Sequence, residues 1–276
     1  PPTTVVKSNV IYNLDGVNVA ITSDHYPLYC DFKKPTGLEE YPKAEGDLRI
    51  GNYFLTYCKG TDGVIDYDRT GRIIAKMNAD IVCLQGLDKE TERSEGIDQL
   101  NVLAQKANMH DYFAKAIDYK GGEFGVGILT KEEPVSVDRY QMAGKSEMRA
   151  AMVVEYEKFV VASTNFDTDM AKRIEALQTL ETKLSAYNKP AFLLGYFNEG
   201  DLESEFFQMV KSNWNLLSAD KSTEVSGKKR RLDFIVSLKS HNVNVTQADV
   251  IESLSGVDVT VASTHYPLFC DFSGLK

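Results

Sequence analysis

Four cysteines in a chain of 276 residues, Cys30, Cys58, Cys83 and Cys270, are too few for a disulfide framework. None sits in a Cys-x-x-Cys pair, so no zinc site is expected. Cys83 lies in the apolar run Ile81-Val82-Cys83-Leu84 and reads as a buried small hydrophobe. Long apolar runs are missing as well: none approaches the roughly 18–20 residues that cross a bilayer, so no membrane span is expected. The start, Pro1-Pro2-Thr3-Thr4, lacks an initiator Met and has neither the basic nor the apolar part of a signal peptide. It reads as a trimmed fragment, which leaves the compartment open, an extracytoplasmic one included. Basic charge is also short, with 31 Lys and Arg against 40 Asp and Glu and a net charge of −9. Basic side chains supply most of the grip on a phosphate backbone, so duplex nucleic acid is not an expected partner.

What remains is the composition of an ordinary globular protein, 43% hydrophobic and 26% charged. That excludes disorder, collagen and coiled coil, and the length allows one large domain or two small ones.

The sequence repeats itself at its two ends. Ser23-Asp24-His25-Tyr26-Pro27-Leu28-Tyr29-Cys30-Asp31-Phe32 returns as Ser263-Thr264-His265-Tyr266-Pro267-Leu268-Phe269-Cys270-Asp271-Phe272. At a constant offset of 240, residues 5–32 match residues 245–272 without a gap at 15 of 28 positions. The copies differ at one chemically loaded place, where Asp24 corresponds to Thr264. A repeat this short with a full domain between its copies is not a solenoid. It reads as terminal strands (1–32), a linker rich in Pro, Gly and charge (33–47), and a complete domain (48–276) that ends in the same strands. The first segment is then the tail of an upstream copy, or a set of strands able to swap; a local duplication that adds an edge hairpin is the plainer alternative.

From Leu48 onward short apolar runs alternate with amphipathic stretches. Strands are predicted at 48–56, 81–85, 125–130, 150–156, 159–164, 191–197, 232–238, 243–251 and 257–262, from their Val, Ile, Leu and aromatic content. Helices are predicted at 66–78, 97–108, 169–188 and 202–214. In the third, Ile174, Leu177, Leu180 and Leu184 form one apolar stripe. Consecutive strand pairs mixed with helices fit two sheets packed face to face with helices outside.

The motifs come in a telling order: Leu48-Arg49-Ile50-Gly51-Asn52-Tyr53-Phe54, Ile81-Val82-Cys83-Leu84-Gln85-Gly86, Gly125-Val126-Gly127-Ile128-Leu129 and Ser163-Thr164-Asn165-Phe166-Asp167. Leu193-Leu194-Gly195-Tyr196-Phe197-Asn198, Arg231-Leu232-Asp233-Phe234-Ile235 and Ser263-Thr264-His265 follow. From about Leu48 to Phe272 this series resembles the endonuclease/exonuclease/phosphatase superfamily. The resemblance implies an α/β fold, a four-layer α/β/β/α sandwich, and Mg²⁺-assisted hydrolysis of phosphate esters. It also implies where the machinery belongs, and most of it is replaced. Phe54 stands for a first-strand Asn, Gly86 for the metal-holding Glu and Asn165 for a His. Tyr196 stands for the Asp of a Gly-Asp-x-Asn motif, and Thr264 for the Asp of Ser-Asp-His. Asn198, Asp233 and His265 match.

One carboxylate, Asp233, is left where such a site carries four. Mg²⁺ is held by carboxylates and phosphate oxygens, so no metal and no cofactor are expected; Mg²⁺ would return only if the chain were active. The loss of Asp at 264 also predicts a His265 without an acidic partner. Each surviving residue has a structural reading: Asn198 bonding its turn, Asp233 paired with Arg230 or Arg231, His265 in a packing corner. Lys228-Lys229-Arg230-Arg231 offers the best local argument for phosphate, against a solvated loop. Asp24 and His25 of the first copy retain the intact motif. The expected function is a pseudoenzyme, a binding module for a small phosphorylated or sugar-like ligand or for a protein partner. That partner is an upstream sister domain or a homodimer formed by strand exchange. The alternative is an active Mg²⁺-dependent phosphodiesterase or phosphatase of a small acidic substrate.

Overall fold

The computed structural model describes residues 4–11, 25, 28–33 and 40–276. They fall into two compact units, 1–42 and 43–276. The division lies inside the linker read from the sequence, although Lys33 closes a strand. The described part of the first unit contains an antiparallel ribbon of β1 (Thr4–Val10) and β2 (Leu28–Lys33).

In the second unit the chain runs through β3 (Leu48–Phe54), α1 (Tyr67–Lys76), β4 (Ile81–Lys89), α2 (Gln99–Ala107), β5 (His110–Tyr119) and β6 (Gly122–Thr130). It continues through β7 (Ser136–Met142), β8 (Arg149–Glu155), β9 (Val160–Asn165), α3 (Met170–Ser185), β10 (Ala191–Tyr196), α4 (Glu205–Asn213) and β11 (Trp214–Leu216). It ends with β12 (Asp233–Leu238), β13 (Asn244–Val250), α5 (Val259–Ala262) and β14 (Leu268–Ser273). The strands form two six-stranded mixed sheets, ordered β13-β14-β3-β4-β6-β5 and β11-β12-β10-β9-β8-β7. This is the two-sheet α/β sandwich expected from the sequence.

Side-chain alternation sets the layers. Ile50, Cys83, Ile128, Cys270 and Phe272 of the first sheet meet Met152, Val161, Phe192 and Ile235 of the second in one core. The intervening residues Val153, Ala162, Leu193 and Phe234 face outward and are covered by Leu177, Leu180 and Leu184 of α3 and by Phe206, Phe207 and Val210 of α4. Each fully buried Leu, Val or Phe contributes about 1.5–3 kcal/mol by leaving water. Aspartates start the helices: Asp66, Asp98 and Asp169 each accept the backbone N–H three residues on. Among the described residues, no helix is long and apolar enough to cross a membrane.

Three departures from the sequence expectation have physical causes. Residues 257–262, predicted as a strand from alternating valines, contain the short helix α5. Asp258 caps it by accepting from Thr260 N, while Val259 and Ala262 are buried. Strands β5 and β7 were not expected, because both are half-exposed and carry charged residues that hide a period of two. β11 is only three residues long and directly follows α4.

The two ribbons share one architecture. In the first, Val10 pairs with Leu28, Ser8 with Cys30, Lys7 with Asp31 and Val5 with Phe32, with a register shift between Val5 and Lys7. In the second, Val250 pairs with Leu268, Ala248 with Cys270, Gln247 with Asp271 and Val245 with Phe272, with the shift between Val245 and Gln247. Every pair is displaced by the same 240 residues as the sequence repeat.

Candidate functional site

Three neighbouring strands of the second sheet end at one level. The register sets Tyr196 of β10 opposite Asn165 of β9 on one side and Asp233 of β12 on the other. Aligned residues of adjacent strands share a face, so the three side chains form a row. Across from them, β3 ends in Phe54, which is in register with Gln85 of β4. Gly86 follows as the extra residue of a β-bulge, with φ of +74°.

His265 reaches the row from the segment between α5 and β14. Ser263 Oγ donates to the Phe54 carbonyl at 2.6 Å and accepts from His265 N at 3.3 Å. On the other side Val225 N donates to Thr264 O at 2.9 Å and Tyr266 N to Thr223 O at 2.8 Å. The histidine is therefore held from two directions and is only 5% exposed.

Three rings close over the row. Phe54 and Tyr196 have centroids 4.8 Å apart, Phe54 and His265 4.7 Å, and Tyr196 and His265 4.8 Å. A Cβ added to Gly86 would stand 3.3 Å from Thr56 N and 3.4 Å from the Phe54 ring. Residue 86 thus has a backbone conformation that L side chains rarely adopt, and a Cβ there would press on Thr56 N while resting against the Phe54 ring.

The expectation that His265 lacks an acidic partner is corrected. Its Nδ1 lies 2.6 Å from Oδ2 of the fully buried Asp233, which accepts a hydrogen bond from the Nδ1–H. Burial disfavours the imidazolium, but the Asp233 charge and hydrogen bond outweigh it and leave the His265 pKa above the ordinary histidine value. The pairing of Asp233 with Arg230 or Arg231 is corrected too. Arg230 makes a two-pronged contact with Glu224 at 2.6 and 2.7 Å, and Arg231 bonds Ser218 and Asp220. Both guanidinium groups of the basic run are therefore engaged by their own loop, and Lys228 and Lys229 are exposed. The hydrogen bond from Arg230 holds the Glu224 carboxyl down to about 2, against some opposing burial.

Asn198 sits at φ +54°, and its Nδ2 donates not within its own turn but to Phe166 O, just past β9, at 2.7 Å. Thr264 is exposed, with its hydroxyl 3.1 Å from that of Thr56. Asn165 Oδ1 and Asp233 Oδ1 are buried and have no hydrogen-bond partner among the described residues. Burial, followed by the Asp233 charge, pushes the Tyr196 hydroxyl pKa up. Of the first copy, Asp24 lies outside the described residues, and His25 is exposed. Thr223, Glu224 and Thr56 were not expected at the site, and no local sequence signal marks them.

Mg²⁺ takes an octahedral set of oxygens, usually including one or two carboxylates. Among the donors here, Asp233 is the single carboxylate in the row, and one of its oxygens is bound to His265. Asn198 turns its amide to backbone, and position 86 offers no side chain at all. Among the described residues, no group of three or more His, Cys, Asp or Glu is placed to hold a metal ion. The residues present do not fit Mg²⁺.

No family model matches the sequence, and no curated protein matches it. Solved structures do. An endonuclease/exonuclease/phosphatase from Beutenbergia cavernae is 18% identical with a TM-score of 0.70, over 84% of this chain and 73% of that one. A mannosyl-6-phosphatase from Bacteroides thetaiotaomicron is 15% identical with a TM-score of 0.64, over 82% and 99%. The human Nocturnin catalytic domain, solved with a bound sulfate, is 19% identical with a TM-score of 0.62, over 84% and 96%. The fold is that of the endonuclease/exonuclease/phosphatase superfamily.

Proposed function

We propose that the chain is a phosphoesterase-fold domain that has given up metal-dependent hydrolysis and serves as a binding or partner module. The observation that carries this is the packing of Phe54 against Gly86, with Tyr196 and His265 completing a closed group of rings. In a working site of this type a carboxylate holds the metal, and a second orients water. Here the first position is a left-handed glycine under a phenyl ring, and the second is the tyrosine itself.

The polar atoms left over favour a ligand rich in hydroxyls. Asp233 Oδ1 and Asn165 Oδ1 are both buried acceptors without a partner among the described residues, and once the rings part a donor such as a sugar hydroxyl satisfies them. A phosphate oxygen in that place would meet like charge at Asp233.

One observation favours a second reading, hydrolysis of a small acidic phosphoester. The Asp233–His265 pair is intact and close, and a histidine so held can donate a proton to a leaving group. A turnover assay separates the two. Purified chain is incubated with bis(p-nitrophenyl) phosphate and with p-nitrophenyl phosphate, each in Mg²⁺ and in Mn²⁺. The Asp233→Ala variant runs alongside. The module reading predicts equal, background rates for both proteins. Metal-dependent release of nitrophenol that Asp233→Ala abolishes would establish the hydrolase instead.

A further inference from the structure

The two ribbons do not share residues at random. Of the positions 245–272, thirteen are buried, and eleven of these carry the same residue 240 positions earlier; Ala262 and Phe269 are the exceptions. Of the eight exposed positions only Gly256 is repeated. Residues that touch solvent have diverged, and residues that face the fold have been kept. Shape and charge toward one kind of surface have therefore been held constant in both copies.

That surface is visible for the second copy. β14 adds antiparallel to β3, with Leu268 opposite Asn52 and Phe272 opposite Leu48. Leu268, Cys270 and Phe272 enter the core between the sheets. Asp271 receives both Nε and an Nη of Arg49 at 2.7 Å, and that pair is wholly buried. An unpaired charge in such a place is strongly disfavoured, so an incoming ribbon must bring a carboxylate at this position. The first copy has Leu28, Cys30, Asp31 and Phe32 at the four corresponding positions. Its strand pairing, bulge included, is already that of the second.

We propose that the edge of β3 accepts either ribbon, so that residues 5–32 can replace residues 245–272 within the same chain. Connectivity permits it. Phe272 pairs with Leu48, so an exchanged Phe32 would lie one strand spacing from Leu48, about 5 Å. The intervening residues 33–47 reach many times that distance. Exchange also changes the site, because it carries Asp24 to the place of Thr264 beside the histidine. It leaves Gly86 and Tyr196 as they are. The inference does not depend on the function proposed above.

The test uses the full chain with an aspartate in the apolar core position of either ribbon. Thermal unfolding is followed by circular dichroism for Phe272→Asp, Phe32→Asp and the double variant. If the ribbons are interchangeable, Phe272→Asp keeps a cooperative transition within a few degrees of the parent, and Phe32→Asp matches the parent. The double variant then loses the transition. In Phe272→Asp, limited proteolysis with mass spectrometry should cut within 244–276, where the parent resists. If Phe272→Asp alone unfolds as completely as the double variant, the proposal is overturned. Light scattering on the folded Phe272→Asp variant should give a monomer; a dimer would place the exchange between chains and overturn the within-chain form.

Discussion

A Cβ built on Gly86 would crowd Thr56 N at 3.3 Å and touch the nearest carbon of the Phe54 ring at an ordinary contact distance of 3.4 Å. Together with φ of +74° this makes the glycine a requirement of the bulge. Gly86→Ala should therefore cost at least about 1 kcal/mol of stability, measured by urea unfolding. Gly86→Glu should cost more and should not produce Mg²⁺-dependent turnover. A stable Gly86→Glu protein with such turnover would show that the seat is intact and only the ligand is missing.

Arg49 and Asp271 hold the ribbon to the sheet from inside. Arg49 also donates to Met77 O at 3.0 Å and lies 4.0 Å over the Phe269 ring. Arg49→Ala leaves a buried aspartate without a partner whichever ribbon is docked, so the neighbouring copy gives no rescue. The expected loss is about 3–5 kcal/mol in chemical denaturation. A loss below 1 kcal/mol would mean that the acid finds water or another donor.

The His265 imidazole should titrate above 6.5 in an NMR pH series, since Asp233 more than offsets the effect of burial. The folded pKa exceeds the unfolded one, so the pair's contribution to stability is complete below the unfolded value. It is lost as pH rises through the folded value. In Asp233→Asn the charge that does most to raise it is gone, leaving Glu224 against burial and Arg230, and the His265 pKa should fall below that of the parent. An unchanged titration in that variant would contradict the pairing.

Glu224 responds at the other end of the scale. Its carboxyl is held down to about 2 from 4.5, first by the Arg230 hydrogen bond, so the contribution of that contact is present above 4.5. It disappears as pH falls toward about 2. Arg230→Ala should move the Glu224 titration up toward the ordinary glutamate range in carboxyl-detected NMR, with a matching loss of stability at neutral pH that solvent screening keeps modest for a partly exposed pair. A Glu224 titration that stays near 2 would assign the depression to another donor.

Much of this was legible in the sequence, for reasons particular residues make plain. The core strands could be read because both their faces are covered, which leaves continuous apolar runs such as Ala191-Phe192-Leu193-Leu194. β5 escaped notice because Asp111, Lys115 and Asp118 interrupt a strand that is half in solvent. Phe54, Gly86, Asn165, Tyr196 and Thr264 are singled out by the family resemblance. What those residues do to one another could not be read that way. His265 and Asp233 are 32 residues apart and meet where the Ser263–Phe54, Thr264–Val225 and Tyr266–Thr223 bonds hold the approach to β14. The contact of the Phe54 ring with Gly86 likewise depends on a bulge that no local pattern announces.

Divalent-cation binding is the most direct test of the whole account. Calorimetric titration of the parent and of Asp233→Ala with Mg²⁺ and Mn²⁺, at millimolar concentration and neutral pH, should give indistinguishable, featureless heats. Saturable binding of one ion per chain that vanishes in Asp233→Ala would contradict it.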